Sequence, residues 1–168
     1  MYCNAGAKSF RLARMSTLIR TLTLLLLALP LAFLVASLFG ATLLVAPALL
    51  VIPVYAWIWL RFRPTQFIVH RGGIEVRWPL KRREIPREYI ANVQVIDREQ
   101  LKKRIGWGMR VGVGGLWGGF GWLWTKRRGV VHMYVSRTDG YVWIERAGSR
   151  PWLITPERPE AFTRALSR

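Results

Sequence analysis

Cysteine, histidine and acid are the scarce residues of this 168-residue chain. A single cysteine, Cys3, rules out an internal disulfide framework and a multi-cysteine metal site. His70 and His132 are the only histidines, so a metal centre has little to be built from, and no metal or cofactor is expected. Nine acidic residues stand against 26 lysines and arginines, a net charge of +17 that calls for a polyanionic partner, either anionic lipid or nucleic acid. The sharpest absence is local. From Thr21 to Leu60 there is no Asp, Glu, Lys, Arg or His, and arginine closes the run at each end.

A bilayer core of about 30 Å takes roughly 20 helical residues, so this run is long enough for two spans. Gly40 marks the turn, which divides the run into about Thr21 to Phe39 and about Ala41 to Leu60. A cleaved signal peptide is the competing reading, since Arg11, Arg14 and Arg20 precede Leu22 to Leu31. Its apolar core would be ~7–15 residues, and nothing polar interrupts the run where a mature chain would begin. Lys8, Arg11, Arg14 and Arg20 lie before the hairpin and Arg61 and Arg63 after it, while the turn carries no charge. The positive-inside rule then puts both termini in the cytoplasm, on a multi-pass protein of the cytoplasmic membrane. Trp57 and Trp59 fit an interfacial aromatic belt. Ala28, Ala32, Ala36 and Gly40 line one face of the first span, a spacing that suits close helix packing or arises by chance. Pro30, Pro47 and Pro53 are expected to bend the spans. With no ionisable group inside it, the hairpin reads as an anchor rather than an ion or proton path.

Three segments follow: a basic cytoplasmic segment 1–20, the hairpin 21–60, and a domain 61–168. The last holds all nine acids and 22 of the 26 basic residues, a net charge of +13. Its apolar, β-branched runs predict strands at Gln66 to His70, Ile74 to Trp78, Tyr89 to Ile96, Val130 to Ser136, Tyr141 to Glu145 and Pro151 to Ile154. Arg71-Gly72-Gly73 and Thr138-Asp139-Gly140 supply turns. Thr155 followed by Pro156 predicts the cap and first position of a short closing helix with Phe162, Ala165 and Leu166 on one face. Strands first and one helix last is an α+β or mostly-β layout.

The hairpin, then Gly73-Ile74-Glu75-Val76 leading to Pro79-Leu80, the basic run into Ile85-Pro86, a Gly-rich middle and the closing Thr155 to Phe162 together resemble the bacterial pleckstrin-homology (PH)-like membrane proteins. The most specific piece is the closing Thr, Pro, x, x, Pro, Glu, x, Phe pattern. The resemblance covers nearly the whole chain. It implies two packed antiparallel sheets forming a small barrel, capped by the C-terminal helix, and implies no known reaction. Eukaryotic relatives of the fold grip phosphoinositides with a basic loop between the first two strands. Here that loop, Arg71-Gly72-Gly73, has one basic residue, so generic attraction to anionic lipid is the expectation.

The middle, Ile105 to Thr125, interleaves Trp107, Trp117, Phe120, Trp122 and Trp124 with eight glycines, and is bracketed by Lys102-Lys103-Arg104 and Lys126-Arg127-Arg128. Three readings stand: an interfacial loop whose indoles rest among head groups, strands whose tryptophans fill the core, or a third span burdened by Arg110. Trp122, in the strand-like Trp122 to Thr125, is expected to be buried; Trp117, before Gly118-Gly119, is expected to be exposed with Trp107.

Motifs for chemistry are absent. No glycine precedes a lysine, which excludes a Walker loop, and Trp117 stands where the third glycine of a dinucleotide fingerprint opened by Gly112 and Gly114 belongs. Arg128 to Tyr134 only faintly echoes an RNA-recognition strand. No nucleophile elbow exists; His70 reads as packed, and His132, alternating with Val131 and Met133, as solvent-facing. Glu84, Glu88 and Glu99 sit among basic residues, where ion pairing explains them without chemistry. The candidate contacts for anionic lipid or a partner are therefore Arg77, Lys81, Arg82, Arg83, Arg87, Lys102, Lys103, Arg104, Lys126, Arg127 and Arg128, with Trp57, Trp59, Trp107 and Trp117 as interfacial aromatics. The expected function is that of a membrane-anchored, non-enzymatic PH-like module meeting lipid and an unidentified membrane or cytosolic protein. The alternatives are a tethered nucleic-acid binder, the less favoured polyanion, and an accessory subunit of a membrane enzyme.

Overall fold

The strand before the apolar run pairs with the strand after it. β1 (Lys8–Arg11) lies antiparallel to β2 (Gln66–His70) with Arg11 opposite Gln66, so the hairpin leaves and re-enters the domain at one point. The computed structural model describes residues 7–167, which leaves Cys3 outside the described residues. The charge pattern had grouped Lys8 to Arg11 with a segment separate from the β-rich domain. A four-residue strand carries no readable period; what holds it is Phe10, whose ring meets Phe162 edge-on at 5.3 Å.

Between these strands stand α1 (Thr17–Leu38) and α2 (Val45–Arg61), joined through Gly40, at φ +100°, and a single 3-10 turn at Thr42–Leu44. Both helical stretches are long and apolar enough to cross a membrane, with mean hydropathies of 2.4 and 2.2. Only 11% and 6% of their most apolar windows are buried, far from what a core helix of a soluble domain shows. The buried positions are Thr23 and Pro30 on α1 and Ala48 on α2. Ala28 and Ala32 are exposed, so the alanine stripe does not form the seam. Pro47 falls in the first turn of α2, where a missing N–H leaves no bond unmade.

The domain is two sheets and two helices. β1, β2, β3 (Gly73–Arg77) and β4 (Arg82–Pro86) form an antiparallel sheet in chain order. β5 (Ile90–Ile96), β6 (Gly108–Gly114), β7 (Gly119–Thr125), β8 (Gly129–Val135), β9 (Tyr141–Arg146) and β10 (Ser149–Ile154) form a second, ordered β5-β9-β10-β8-β7-β6. β10 lies antiparallel to β9 but parallel to β8, and the two sheets do not close into a barrel, which corrects the expectation of a closed, wholly antiparallel one.

Side-chain alternation divides the second sheet between two cores. Phe120, Tyr134, Ile144, Trp152 and Ile154 face the first sheet, meeting Phe67, Ile74, Val76 and Ile85 along with Phe162 of α4 (Pro159–Leu166). Leu123, Val131, Met133, Trp143 and Leu153 face the other way onto Leu101 and Ile105 of α3 (Arg98–Ile105). The strand readings missed α3, although it opens with a capping box: Asp97 Oδ1 accepts from Gln100 N–H at 2.7 Å and Gln100 Oε1 from Asp97 N–H at 3.2 Å. α4 starts at Pro159 rather than Pro156. Thr155 is withdrawn from capping because its buried hydroxyl accepts from Ser136 N–H at 2.9 Å, while Pro156 bridges to Leu12.

Of the three readings of the Trp/Gly middle, strands hold, as the β6–β7 hairpin. Its Gly112 and Gly121 face each other at φ +138° and +128°, a conformation closed to other residues, and their backbones touch where side chains would stand. The turn docks on α1: Thr23 Oγ1 accepts from Trp117 N–H at 2.9 Å and lies 2.9 Å from the Gly115 carbonyl. Trp117, expected to be exposed, is half-buried with its ring edge-on to Trp59 at 4.7 Å. Trp122, expected to be buried, is 43% exposed, and the core position on β7 falls to Phe120, which packs with the first sheet.

Candidate anion-binding surface

The parallel pairing of β8 with β10 sets His132 beside Trp152, their rings 5.6 Å apart. Both belong to the sheet face that carries Tyr134, so His132 is half-buried and not on the open face that simple alternation suggested. The Ala147-Gly148 turn, with Gly148 at φ +62°, folds β9 back into β10 and brings Arg146 and Arg150 to the same place. β4 lays Arg83 over the Trp152 ring at 5.4 Å, and the β7–β8 turn adds Arg128. Four arginines and one histidine thus line a groove of about 690 Å³.

The groove is rich in donors and poor in acceptors. Burial, then Arg83, Arg150 and Arg146, push His132 down to about 4, so it is neutral near pH 7. Burial, then Arg83, also lowers Arg146. Among the described residues, the Nε of Arg146 and the Nε1 of Trp152 are buried donors without an acceptor. Of the four arginines only Arg128 has a carboxylate within ion-pairing distance among the described residues, Glu145 Oε1 at 3.7 Å. Buried N–H groups without partners are uncommon and costly, and an anion in the groove would satisfy that of Arg146, which lines it, whereas Trp152 lies in the core behind it.

A second basic groove lies along α3, lined by Gln94, Gln100, Lys103, Arg104, Arg127 and Arg128. Here Arg104 and Arg127 each have a hydrogen-bond partner, although Arg104 Nη1 is also a buried donor without one among the described residues. Arg104 Nη2 donates to Gln94 Oε1 at 2.9 Å with its guanidinium 5.5 Å from the Trp143 ring, and Arg127 Nη1 donates to the Lys103 carbonyl at 2.7 Å. Arg128 lines both grooves, so they form one continuous band.

The remaining sequence candidates scatter. Arg77 is bound to Glu75 at 2.8 Å and stands opposite Arg82 across β3 and β4. Lys81 lies over Trp78 at 4.7 Å near the end of α2, lowered by burial and then by Arg61 and Arg83. Arg87 sits in a 3-10 turn after β4, and Lys102 and Lys126 point to solvent. Trp57 is 56% exposed on α2 and Trp107 73% exposed beside β6. Lys126 to Arg128 lie at the end of β7 opposite the Thr23 contact, six residues or about 20 Å of strand away. Sequence reasoning missed Arg146, Arg150 and His132. The signal was present: an Ala-Gly turn between two apolar runs places its flanking arginines side by side. No group of three or more His, Cys, Asp and Glu able to hold a metal occurs among the described residues.

No curated protein and no solved structure is significantly similar to the chain. Residues 65–168, well over half of it and nearly the whole domain after the hairpin, match the family described as bacterial PH domain. Two sheets packed face to face, a helix closing the chain and a match across all but the first of their strands make this protein a member of the bacterial PH domain family.

Proposed function

We propose that the chain is a membrane-anchored, non-catalytic binding module that receives a phosphate-bearing anion, in the first instance a lipid head group, in the groove of Arg83, Arg128, Arg146 and Arg150. The observation that carries this reading is the cluster of four arginines around a neutral His132, in which the Nε of Arg146 is a buried donor without an acceptor among the described residues. α1 and α2 serve as the anchor in this reading, and the pairing of β1 with β2 together with the basic flanks of the hairpin supports placing both flanks of the hairpin on the cytoplasmic side. Binding is favoured over chemistry because the groove offers cations, one histidine and one serine, Ser149, with no carboxylate in its lining to activate either.

The test is titration of the full chain, in neutral-lipid nanodiscs, with soluble short-chain phosphatidylglycerol, short-chain phosphatidylcholine and inorganic phosphate. Saturable, salt-sensitive binding of phosphatidylglycerol that Arg146→Gln with Arg150→Gln abolishes supports the reading; equal binding of phosphatidylcholine contradicts it. Binding of inorganic phosphate alone would assign the groove to a free anion, and tighter retention of single-stranded DNA to a nucleic acid.

A further inference from the structure

β6 is the free edge of the six-stranded sheet. β7 alone packs along it, so one side of its backbone has no partner in the described chain. Edge strands are commonly blunted by proline, by lysine or by a covering segment; β6 has none of these, and Arg110 is its only charge. Glycine at 108, 112 and 114 removes the side chains that would fend off another strand.

The face beside this edge is apolar and open. Met109 lies opposite Trp124 and Val111 opposite Trp122, and these four, with Trp107, are 43% to 73% exposed. Contiguous exposed apolar surface of this kind marks an interaction site. The surroundings are cationic. Lys126, Arg127 and Arg128 follow β7 at the Trp124 end, and Arg110, on the opposite face of β6, has no acidic partner among the described residues.

We propose that β6 receives an extended, acidic segment of a partner protein as a seventh strand, with alternate apolar side chains on Trp122, Trp124, Met109 and Val111 and acidic ones toward Arg110 and the Lys126–Arg128 turn. Charge selects this occupant. A second copy would bring +17 against +17, whereas an acidic segment complements the edge. The backbone favours a strand over lipid, because hydrocarbon offers nothing to the open N–H and C=O groups of β6, and an added strand pairs them.

The experiment uses the full chain in neutral-lipid nanodiscs and a ten-residue peptide of alternating glutamate and valine. Three forms are compared: unmodified, N-methylated at every glutamate, and N-methylated at every valine. Successive amides of a strand point to opposite sides, so one methylated form loses at least tenfold in affinity while the other stays within about threefold. Trp122→Thr with Trp124→Thr, both at exposed positions, weakens the unmodified peptide at least tenfold. Equal behaviour of the two methylated forms, no binding, or binding indifferent to both tryptophans overturns the proposal. So does a tryptophan variant that keeps the peptide but loses anionic vesicles, which would make the face a membrane contact.

Discussion

The hydroxyl of Tyr55 on α2 donates to the carbonyl of Leu26 on α1 at 3.0 Å, and Leu26 is the residue whose carbonyl Pro30, lacking an N–H, leaves unbonded four positions on. One side chain thus repairs the break the proline makes. Tyr55→Phe should cost about 0.6–1.7 kcal/mol of hairpin stability, the range of such bonds between membrane helices. In a Pro30→Ala background the restored N–H serves Leu26, and the same change should cost almost nothing. Reversible unfolding in mixed micelles, followed by circular dichroism, measures both; equal costs would show that Tyr55 acts by packing.

Gly112 and Gly114 are two residues apart and differ in what they can tolerate. A Cβ on Gly112 would strike the Phe120 carbonyl at a φ of +138°, whereas one on Gly114 would meet nothing within 4 Å. Gly112→Ala should destabilise the domain by at least roughly 2 kcal/mol, and Gly114→Ala should stay within about 0.5 kcal/mol of the parent or gain slightly. Thermal unfolding of the two variants decides it.

Trp122 and Trp152 face the same side of the sheet, but only Trp152 is covered, at 0% exposure against 43%. Trp122→Ser with Trp124→Ser should leave the unfolding midpoint nearly unchanged. Trp152→Ala should cost on the order of 3–5 kcal/mol, a large part of the ~5–15 kcal/mol that holds a domain. Tryptophan emission would check the assignment: removing the first pair should reduce the red-shifted, quencher-accessible part, to which exposed Trp107 and Trp57 also contribute, and leave the blue-shifted part unchanged.

His132 titrates near 6.5 when unfolded and at about 4 when folded. Between those values the unfolded chain binds the extra proton, so this contribution is whole above pH 6.5 and is lost as pH falls to about 4. His132 is only partly buried, and solvent screening reduces the effect to roughly 1–2 kcal/mol. His132→Gln should flatten that part of the stability profile. An anion in the groove offsets Arg83, Arg146 and Arg150 and lifts the histidine, so short-chain phosphatidylglycerol should bind more tightly at pH 5 than at pH 7 to the parent and equally at both to the variant.

What could be read ahead of the structure had a period or a composition behind it. The forty uncharged positions and the alternation through Val131, Met133 and Val135 each survive as an element, and so does the closing helix with Phe162 and Leu166 buried, although it starts at Pro159 and not at Pro156. What could not be read depends on which elements become neighbours. Trp122 and Phe120 have the same parity and similar chemistry, and it is Phe120 that packs with the first sheet and is covered. Arg146, Arg150 and Arg83 lie on three strands of two sheets, and the parallel step from β8 to β10 that gathers them around His132 leaves no mark in local sequence.

The anchor is threaded through the domain and not appended to it, and this has a mechanical consequence. Because β1 and β2 are antiparallel and the helices leave from Arg11 and approach Gln66, a pull on the hairpin draws both strands lengthwise, in the same direction. β2 is bonded along its whole length to β3, from Gln66 opposite Arg77 to His70 opposite Gly73, so those bonds are loaded together in shear and not opened one at a time. Any load applied through the hairpin is therefore carried by a whole sheet. Synthesis meets the converse constraint, for β1 leaves the ribosome first and stays unpaired until both helices and β2 have followed it.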